Sequence, residues 1–386
     1  MNILRKVVKR DIIFSSQRKF SSQNQPPEFL QAYNQLFIKS NIINELLPKK
    51  IETIDHLKET FPTLLSSNRA KEADLASVNK GILEPAHDLI DRGGKRWRPA
   101  LGLILAEAFG RDIKNLEANK DVYYLSGLVE LVHNGSLMID DLQDNSKFRR
   151  GEPCTYIKYG ADIASNTSTF LYFAPLLKID KYITDKKARA KILTIFNQEM
   201  VNLMLGQNWD INWHNGKVEP NANFYHQMVV NKTSTLPRMN ARSLGAALRL
   251  KNSQVVKLSS FLNSLGAAFQ IQDDIIALKS QEYAQERDKY EDIREGKRSL
   301  VVINALKSGK DKKLIKEILN SHTEDVAKLE QAYKAIHQNQ SAFDKADKEA
   351  KQLVEKSWTA INPVLPEGDA KKKIEELSQF IIKRNL

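Results

Sequence analysis

Apolar residues recur at spacings of three and four along almost the whole chain, and this periodicity constrains the fold more than any other feature. From Glu28 to Leu386 no segment shows the sustained alternation of apolar and polar residues that is typical of a half-buried strand. Only 16 glycines and 12 prolines occur among 386 residues, so few positions would interrupt a helix. The sequence predicts an all-α protein with a single domain over residues 28–386.

Six segments carry the clearest helical pattern. They are 101–109, 128–139, 163–179, 188–205, 224–248 and 255–278. The second is apolar on nearly all sides and is expected to lie at the centre of the fold. In the fifth, Pro237 is expected to kink the helix and turn Lys232 towards a cavity. The chain beyond Lys310 has sparse apolar positions among many charges, which predicts an outer helical layer with a solvated face.

Residues 1–25 have the composition of a targeting segment. Apolar residues at helical spacing, among them Ile3 and Val7, stand opposite Arg and Lys, and Ser and Gln follow. An amphipathic, basic segment that is poor in acids is typical of a mitochondrial transit peptide, and Arg18–Ser21 resembles a matrix-processing site. We therefore expect a mitochondrial protein, in the matrix or at the matrix face of the inner membrane. The alternative is an amphipathic anchor or partner helix that stays attached.

Charge, cysteine content and hydropathy exclude several classes of protein and of metal site. Six of the 59 basic and one of the 47 acidic residues lie in residues 1–25, which leaves 53 against 46, a net charge of only +7. The single cysteine, Cys154, can form neither an internal disulfide nor a cysteine-rich metal site. The longest uncharged stretch, 163–177, is shorter than the roughly 20 residues of a spanning helix. No transmembrane span is expected, and any metal should be held by oxygen or imidazole ligands.

Three acids at the end of the central helix give the sharpest chemical signal. Asp140 and Asp144 lie one helical turn apart, and Asp141 lies three residues before Asp144, so the oxygens of all three are expected to converge. Clustered carboxylates suit Mg²⁺, which completes its coordination shell with water and substrate phosphate. The alternative is a solvated helix end. The uncharged run 137–139 that leads into the acids favours a buried helix that ends at a cavity.

Basic segments flank these acids in the sequence. Gly93–Pro99 places two glycines and three cations directly before a helix, a pattern that can cradle phosphate through backbone N–H groups and charged heads. Its simpler interpretation is a helix-entry loop. Lys147–Gly151 brings further cations just after the acids.

A second acid pair, Asp273 and Asp274, follows another apolar run and is expected to end its helix. Two such helices suggest opposing walls of one metal-filled opening. Lys232–Thr233 lies between them in the sequence, and Asp292–Lys297 adds another acid and cation.

Taken in order, these motifs resemble those of the trans-isoprenyl diphosphate synthases, the polyprenyl synthetase family, over about residues 60–310. The matching segments are Gly93–Pro99, Leu131–Asp144, Arg149–Gly151, Gly206–Asp210, Lys232–Thr233, Phe269–Asp274 and Asp292–Lys297. The resemblance implies an isoprenoid-synthase-type helical bundle around a deep central apolar cavity. It also implies a homodimer or heterodimer, or a place in a larger mitochondrial assembly.

The resemblance further implies the role of each site residue. Catalysis would involve Asp140, Asp141, Asp144, Lys232 and Asp273, of which the four aspartates would hold about three Mg²⁺ ions on an allylic diphosphate. Arg149, Lys232 and Lys297 would bind that diphosphate, with Thr233 and Gln270 nearby. Isopentenyl diphosphate would be held by Lys95, Arg98, His133 and Arg150. The implied reaction is ionisation of the allylic ester and attack by isopentenyl diphosphate.

Product length is predicted from the residues one turn before Asp140. Gly135 and Ser136 are both small and are expected to point down the cavity, so no aromatic floor would stop the growing chain. The expected product is a polyprenyl diphosphate of C20 or longer, for instance a precursor of a quinone side chain.

Two further classes of function stay open beside the prenyltransferase. Ala277 stands where the family usually has a third aspartate in the second motif. That departure favours a synthase-like regulatory or structural subunit of a mitochondrial complex with weak or no catalysis. A nucleic-acid-binding protein would show a basic face without the acid pairs, so no nucleic-acid partner is expected.

Overall fold

A computed structural model of the chain describes residues 27–62, 73–279 and 290–383. These residues are almost entirely helical, which confirms the predicted all-α class. The strands described there form one antiparallel hairpin of β1 (Phe148–Arg149) and β2 (Glu152–Pro153). The predicted targeting segment, 1–25, lies outside the described residues.

Twenty α-helices are described. The first ten are α1 (Glu28–Lys39), α2 (Ile42–Leu46), α3 (Ile54–Thr60), α4 (Leu75–Val78), α5 (Glu84–Asp91), α6 (Trp97–Ala108), α7 (Lys120–Gln143), α8 (Thr155–Tyr159), α9 (Ala161–Phe173) and α10 (Ile179–Tyr182). The others are α11 (Lys186–His214), α12 (Ala222–Lys232), α13 (Thr235–Ala247), α14 (Asn252–Lys279), α15 (Glu291–Arg294), α16 (Leu300–Ser308), α17 (Lys312–Ser321), α18 (Val326–His337), α19 (Gln340–Ile361) and α20 (Asp369–Lys383). Short π-helical or 3-10 turns occur at Asn79–Leu83, Glu117–Asn119, Ala174–Lys178 and Asn362–Val364.

Helix α7 lies at the centre, as its nearly uniform apolar pattern predicts. Almost every side chain from Val122 to Val132 is buried, and the helix packs against α6, α9 and α13. A helix this long needs neighbours on all sides to bury such a surface. Its C-terminal end, where Asp140 and Asp144 lie, is less buried and opens towards solvent.

The kinked helix predicted over 224–248 is instead two helices. Helix α12 ends at Lys232 and α13 begins at Thr235, so Pro237 falls within the first turn of α13, where a missing N–H is tolerated. The break at Ser234 packs against Gly266 of α14, where an added Cβ would lie 2.9 Å from the Cα of Ser234. Lys232 is therefore the last residue of a helix.

Helix α14 extends to Lys279, which confirms the predicted segment 255–278, so the expectation that the acid pair ends the helix is wrong. It packs along α19, whose Phe343, Ala346 and Val354 are buried. The helices after Lys310 cover the core with one apolar face, in agreement with the predicted outer layer. Among the described residues no helix is both long and apolar enough to cross a membrane.

Candidate active site

A cavity of about 600 Å³ lies at the C-terminal end of α7, between α9, α11, α12 and α14. Most residues predicted for the site border this one cavity. Those that line it are Lys95, Arg98, His133, Ser136, Asp140, Asp144, Arg149, Arg150, Lys232, Thr233, Gln270, Asp273 and Lys297. Aspartates of α7 and α14 thus meet at one opening although they are remote in sequence, as predicted.

Asp140 and Asp144 line the cavity from α7 but differ in their environment. Burial acts to raise the pKa of Asp140, but the charges of Lys232 and Arg149 outweigh it and hold that pKa below its usual range. Burial and the neighbouring charge of Asp140 raise the pKa of Asp144 to about 7. A cation between these carboxylates would relieve their repulsion.

Asp141 does not line the cavity. Its side chain is fully buried, and its Oδ1 accepts a hydrogen bond of 2.8 Å from Nε of Arg149. Successive helical residues are rotated by about 100°, which takes Asp141 off the face shared by Asp140 and Asp144. The predicted convergence of all three carboxylates is therefore wrong for Asp141, which instead holds Arg149 at the edge of the cavity.

Lys232 is held between carboxylates of two helices. Its Nζ lies 2.6 Å from Oδ2 of Asp210 and 3.0 Å from Oδ1 of Asp140. Gln207 donates a further hydrogen bond of 3.0 Å to Oδ1 of Asp140. Burial acts to lower the pKa of Lys232, but Asp140 and Asp210 raise it above its usual range, so the ammonium stays charged.

His214 also belongs to this network, although the sequence reasoning did not identify it. Its Nε2 lies 2.8 Å from Oδ1 of Asp210, and its Nδ1 lies 3.8 Å from Oδ1 of Asp144. Burial opposes protonation, but the charge of Asp210 and then that of Asp144 raise the pKa of His214. Its position one helical turn after Asp210 is the sequence signal that could have identified it.

Both residues of the second acid pair line the cavity, but they differ in exposure. Asp273 is partly exposed, whereas Asp274 is buried. The hydroxyl of Tyr225 donates to Asp274 at 2.7 Å, and Nζ of Lys297 lies 3.3 Å away. Burial raises the pKa of Asp274 even against the charge of Lys297. No pattern in the sequence pointed to Tyr225.

Thr233 and Gln270 connect α12 to this pair. The hydroxyl of Thr233 donates to Oε1 of Gln270 at 2.8 Å, and Nε2 of Gln270 donates to Oδ1 of Asp274 at 3.0 Å. The chain of bonds fixes the orientation of the Gln270 amide at the cavity wall.

A basic cluster forms the opposite side of the cavity. Nη1 of Arg98 lies 3.3 Å from Nε2 of His133, and Nη1 of Arg150 donates at 3.3 Å to Oδ1 of Asn134. Burial lowers the pKa of Arg98 to about 10, an effect opposed by the charges of Glu130 and Asp273. Burial and the charge of Arg98 lower the pKa of His133, which keeps its imidazole neutral. Glu130 is a buried counter-ion that the sequence reasoning missed.

The two residues predicted to set product length have different surroundings. Ser136 lines the cavity. Gly135 faces α9, where an added Cβ would lie 2.9 Å from the carbonyl oxygen of Ser168 and 3.1 Å from Cβ of Leu171. The expectation that Gly135 points into the cavity is wrong, because its missing side chain permits close packing of α7 on α9.

The donor atoms at the cavity fit a hard divalent cation. Asp140, Asp144 and Asp273 offer carboxylate oxygens, the ligand type that Mg²⁺ prefers. Within residues 27–62, 73–279 and 290–383, no three His, Cys, Asp or Glu side chains are grouped so as to hold a metal ion by themselves. The residues fit an ion whose coordination is completed by water and a bound phosphate.

Comparison with known proteins agrees with the motifs. The family description "Polyprenyl synthetase" matches residues 79–336. A geranylgeranyl pyrophosphate synthase of Dictyostelium discoideum is 33% identical over 281 residues, which cover 73% of this chain and 88% of the relative. A second geranylgeranyl pyrophosphate synthase, from Emericella nidulans, is 31% identical over 294 residues, 71% of this chain and 72% of the relative.

Solved structures share the fold. The crystal structure of a polyprenyl synthase from Caulobacter crescentus, complexed with calcium and isoprenyl diphosphate, superposes with a TM-score of 0.74 at 20% identity. The match covers 95% of this chain and 99% of that one. A geranylgeranyl pyrophosphate synthetase from Pyrococcus horikoshii gives a TM-score of 0.74 at 24% identity, over 93% of this chain and 100% of that one.

Proposed function

The chain belongs to the polyprenyl synthetase family, and we propose that it is a Mg²⁺-dependent trans-prenyltransferase. It would condense isopentenyl diphosphate with an allylic diphosphate to make a polyprenyl diphosphate of C20 or longer. The relatives named geranylgeranyl pyrophosphate synthases support this product class, as does the small side chain of Ser136 at the cavity.

Asp140, Asp144 and Asp273 would hold the Mg²⁺ ions, about three in number, together with the allylic diphosphate. When bound, the metal neutralises charge on the departing diphosphate. Lys232 stays protonated between Asp140 and Asp210 and presents its charge to the same group. Arg149, held by Asp141, and Lys297, held by Asp274, would add further charge.

The basic cluster would bind isopentenyl diphosphate. Lys95, Arg98 and Arg150 supply charge for its diphosphate, and neutral His133 can accept a hydrogen bond from Arg98 and orient it. Apolar side chains, among them Leu203 and Phe269, line part of the cavity and would exclude water from the carbocation.

One observation carries this proposal: Asp140 and Asp273, from two helices, line the same cavity as the cations. The test incubates the purified full chain with Mg²⁺, isopentenyl diphosphate and farnesyl diphosphate, and identifies the products by chromatography. Asp140→Asn and Asp273→Asn should each lower kcat by about 10² or more, because transition-state charge loses its stabilisation. The exposed Asp311→Asn serves as the matched control and should retain full activity.

A synthase-like subunit without catalysis is the second candidate, and Ala277 is the observation that favours it. Absence of condensation, together with stable co-purification in a large mitochondrial complex, would establish this role instead.

We further propose mitochondrial targeting by residues 1–25. An import assay that compares the full chain with one lacking this segment tests that proposal.

A dimer, with a second copy or a related subunit, is proposed from exposed apolar side chains on α9 and α11. Five large apolar side chains there are more than two-fifths exposed. They are Phe173, Leu193, Val201, Met204 and Leu205. Large apolar side chains exposed in this number are typical of a protein interface. Light scattering of the wild type should give twice the monomer mass. The Val201→Lys variant should give a lower mass, closer to that of the monomer.

A further inference from the structure

Helix α1 precedes the segment that matches the family and contacts the basic loop 93–96 at the cavity. The amide Nδ2 of Asn34 donates a hydrogen bond of 3.0 Å to the carbonyl oxygen of Lys95. Lys95 lines the cavity, and Arg98 follows in the first turn of α6. The contact therefore joins a helix outside the segment that matches the family to the cations of the proposed isopentenyl diphosphate site.

The backbone of this loop needs an external restraint. Gly93, Gly94 and Arg96 have φ values of 82°, 141° and 42°, all in the region that side chains rarely adopt. The glycines tolerate these angles but also leave the loop many other conformations. Arg96, which has a Cβ, is strained in this region. Hydrogen bonds from outside the loop therefore help to select its observed shape.

Helix α1 is held firmly enough to act as that restraint. Leu30 and Phe37 are at most 2% exposed. The hydroxyl of Tyr33 bonds to Glu107 at the other end of α6, and Nζ of Lys373 in α20 donates to the same hydroxyl oxygen at 3.1 Å. Asn34 thus extends from a helix that is anchored to both α6 and the C-terminal helix.

We propose that Asn34 is a positioning residue for isopentenyl diphosphate. By holding the Lys95 carbonyl it fixes loop 93–96, so that Lys95 and Arg98 are already placed when the diphosphate arrives. A loop ordered in advance loses less entropy on binding, and affinity rises accordingly. This inference rests on the proposed function, which assigns isopentenyl diphosphate to these cations.

The experiment measures binding of isopentenyl diphosphate to the full chain by calorimetry, with Mg²⁺ and without an allylic substrate. Asn34→Ala should raise Kd about fivefold, the equivalent of one hydrogen bond at about 1 kcal/mol. The KM of the allylic diphosphate and kcat should each change less than twofold. Asn34→Leu, which keeps the side-chain volume but not the hydrogen bond, should raise Kd by the same factor as Asn34→Ala. Gln35→Ala, at an exposed position of α1, is the control and should bind like the wild type.

Amide hydrogen exchange gives a second readout. If Asn34 served only the overall stability, the exchange rates in loop 93–96 would not change selectively. The amides of loop 93–96 should exchange faster in Asn34→Ala, while those of α7 keep their protection. An unchanged Kd for isopentenyl diphosphate in Asn34→Ala would overturn the inference. So would a rise in this Kd together with the KM of the allylic diphosphate, if Asn34→Ala and Asn34→Leu also have a lower Tm. If the wild type binds isopentenyl diphosphate but forms no product, the proposed catalysis alone fails. If the wild type does not bind it, both proposals fail.

Discussion

An added Cβ on Gly206 would lie 2.5 Å from the backbone nitrogen of Lys232, so α11 and the end of α12 approach with almost no space between their backbones. This approach brings Lys232 to Asp210 on α11 and to Asp140 on α7. A glycine inside a helix costs about 1 kcal/mol relative to alanine. At Gly206 this loss of stability accompanies a close approach of the helices that places the Lys232 ammonium at the carboxylates.

Gly206→Ala should therefore push α12 outward and move Lys232 away from the diphosphate position. We expect kcat to fall by about 10², the effect of a misplacement of about 1 Å at a reacting centre. Steady-state kinetics with both diphosphates measure this. The control is Gly81→Ala, where an added Cβ meets nothing within 4 Å. Full activity in Gly206→Ala would show that the close approach does not position Lys232.

Ser136→Phe should shorten the product. The residue lines the cavity one turn before Asp140, so an aromatic ring would occupy the space of the growing chain. Chromatography of the products should show a shift from C20 or longer towards C15, with little loss of total turnover. An unchanged product distribution would show that residues other than Ser136 limit the length of the growing chain.

Gly135→Ala is the matched comparison for Ser136→Phe. Its methyl group would press on Ser168 and Leu171 of α9, so we expect a loss of stability of about 1–3 kcal/mol from overpacking. Product length should stay as in the wild type. Denaturant unfolding and product analysis together separate the two effects.

The sequence was sufficient for the fold class and for most of the cavity wall, because helical spacing fixes which residues share a face. It failed where the answer depends on how helices pack. Gly135 and Ser136 are neighbours of similar size, and only the position of α9 decides that one packs and the other lines the cavity. Asp141 was misplaced for a different reason, because helical spacing already turns it about 100° away from Asp140; only its partner Arg149, in the hairpin that follows α7, had to come from the structure.

Partners from different helices were also beyond the reach of sequence reasoning. His214 contacts Asp144 of α7, and Tyr225 of α12 contacts Asp274 of α14. Helical spacing could have linked His214 to Asp210 but not to Asp144, and Tyr225 resembles an ordinary buried polar side chain until the helices are brought together. The break at Ser234 could not be separated from a proline kink, because both are consistent with Pro237 a few residues later.

Ala277→Asp tests the departure in the second aspartate motif. Ala277 lies one turn after Asp273 on α14, so a carboxylate there would face the same side of the helix. We expect the Mg²⁺ concentration for half-maximal activity to fall about threefold or more, as an oxygen donor is added. Ala247→Asp, at the end of α13, is the control. An unchanged Mg²⁺ requirement would mean that residue 277 does not contribute to metal binding.

Glu199 forms a buried charge cluster on α11 that should make stability depend on pH. Its carboxylate is fully buried, and Nε of Arg238 lies 2.9 Å from Oε1, with Arg242 also in contact. Burial acts to raise the pKa of Glu199, but hydrogen bonds and charge from Arg238 outweigh it and hold the pKa below its usual range. The folded state therefore binds this proton less readily than the unfolded chain.

Because the folded pKa is depressed, the stabilisation from Glu199 is complete above the unfolded pKa of about 4.3 and is lost as pH falls through the folded value. We expect the free energy of unfolding to fall between about pH 5 and pH 3 in the wild type. Glu199→Gln should remove part of this slope. It should also lower stability at pH 7 by about 3–5 kcal/mol, because two arginines lose their buried partner. Denaturant unfolding across this pH range measures both effects, with the exposed Glu376→Gln as control. A slope equal in all three proteins would show that Glu199 is not the group that titrates.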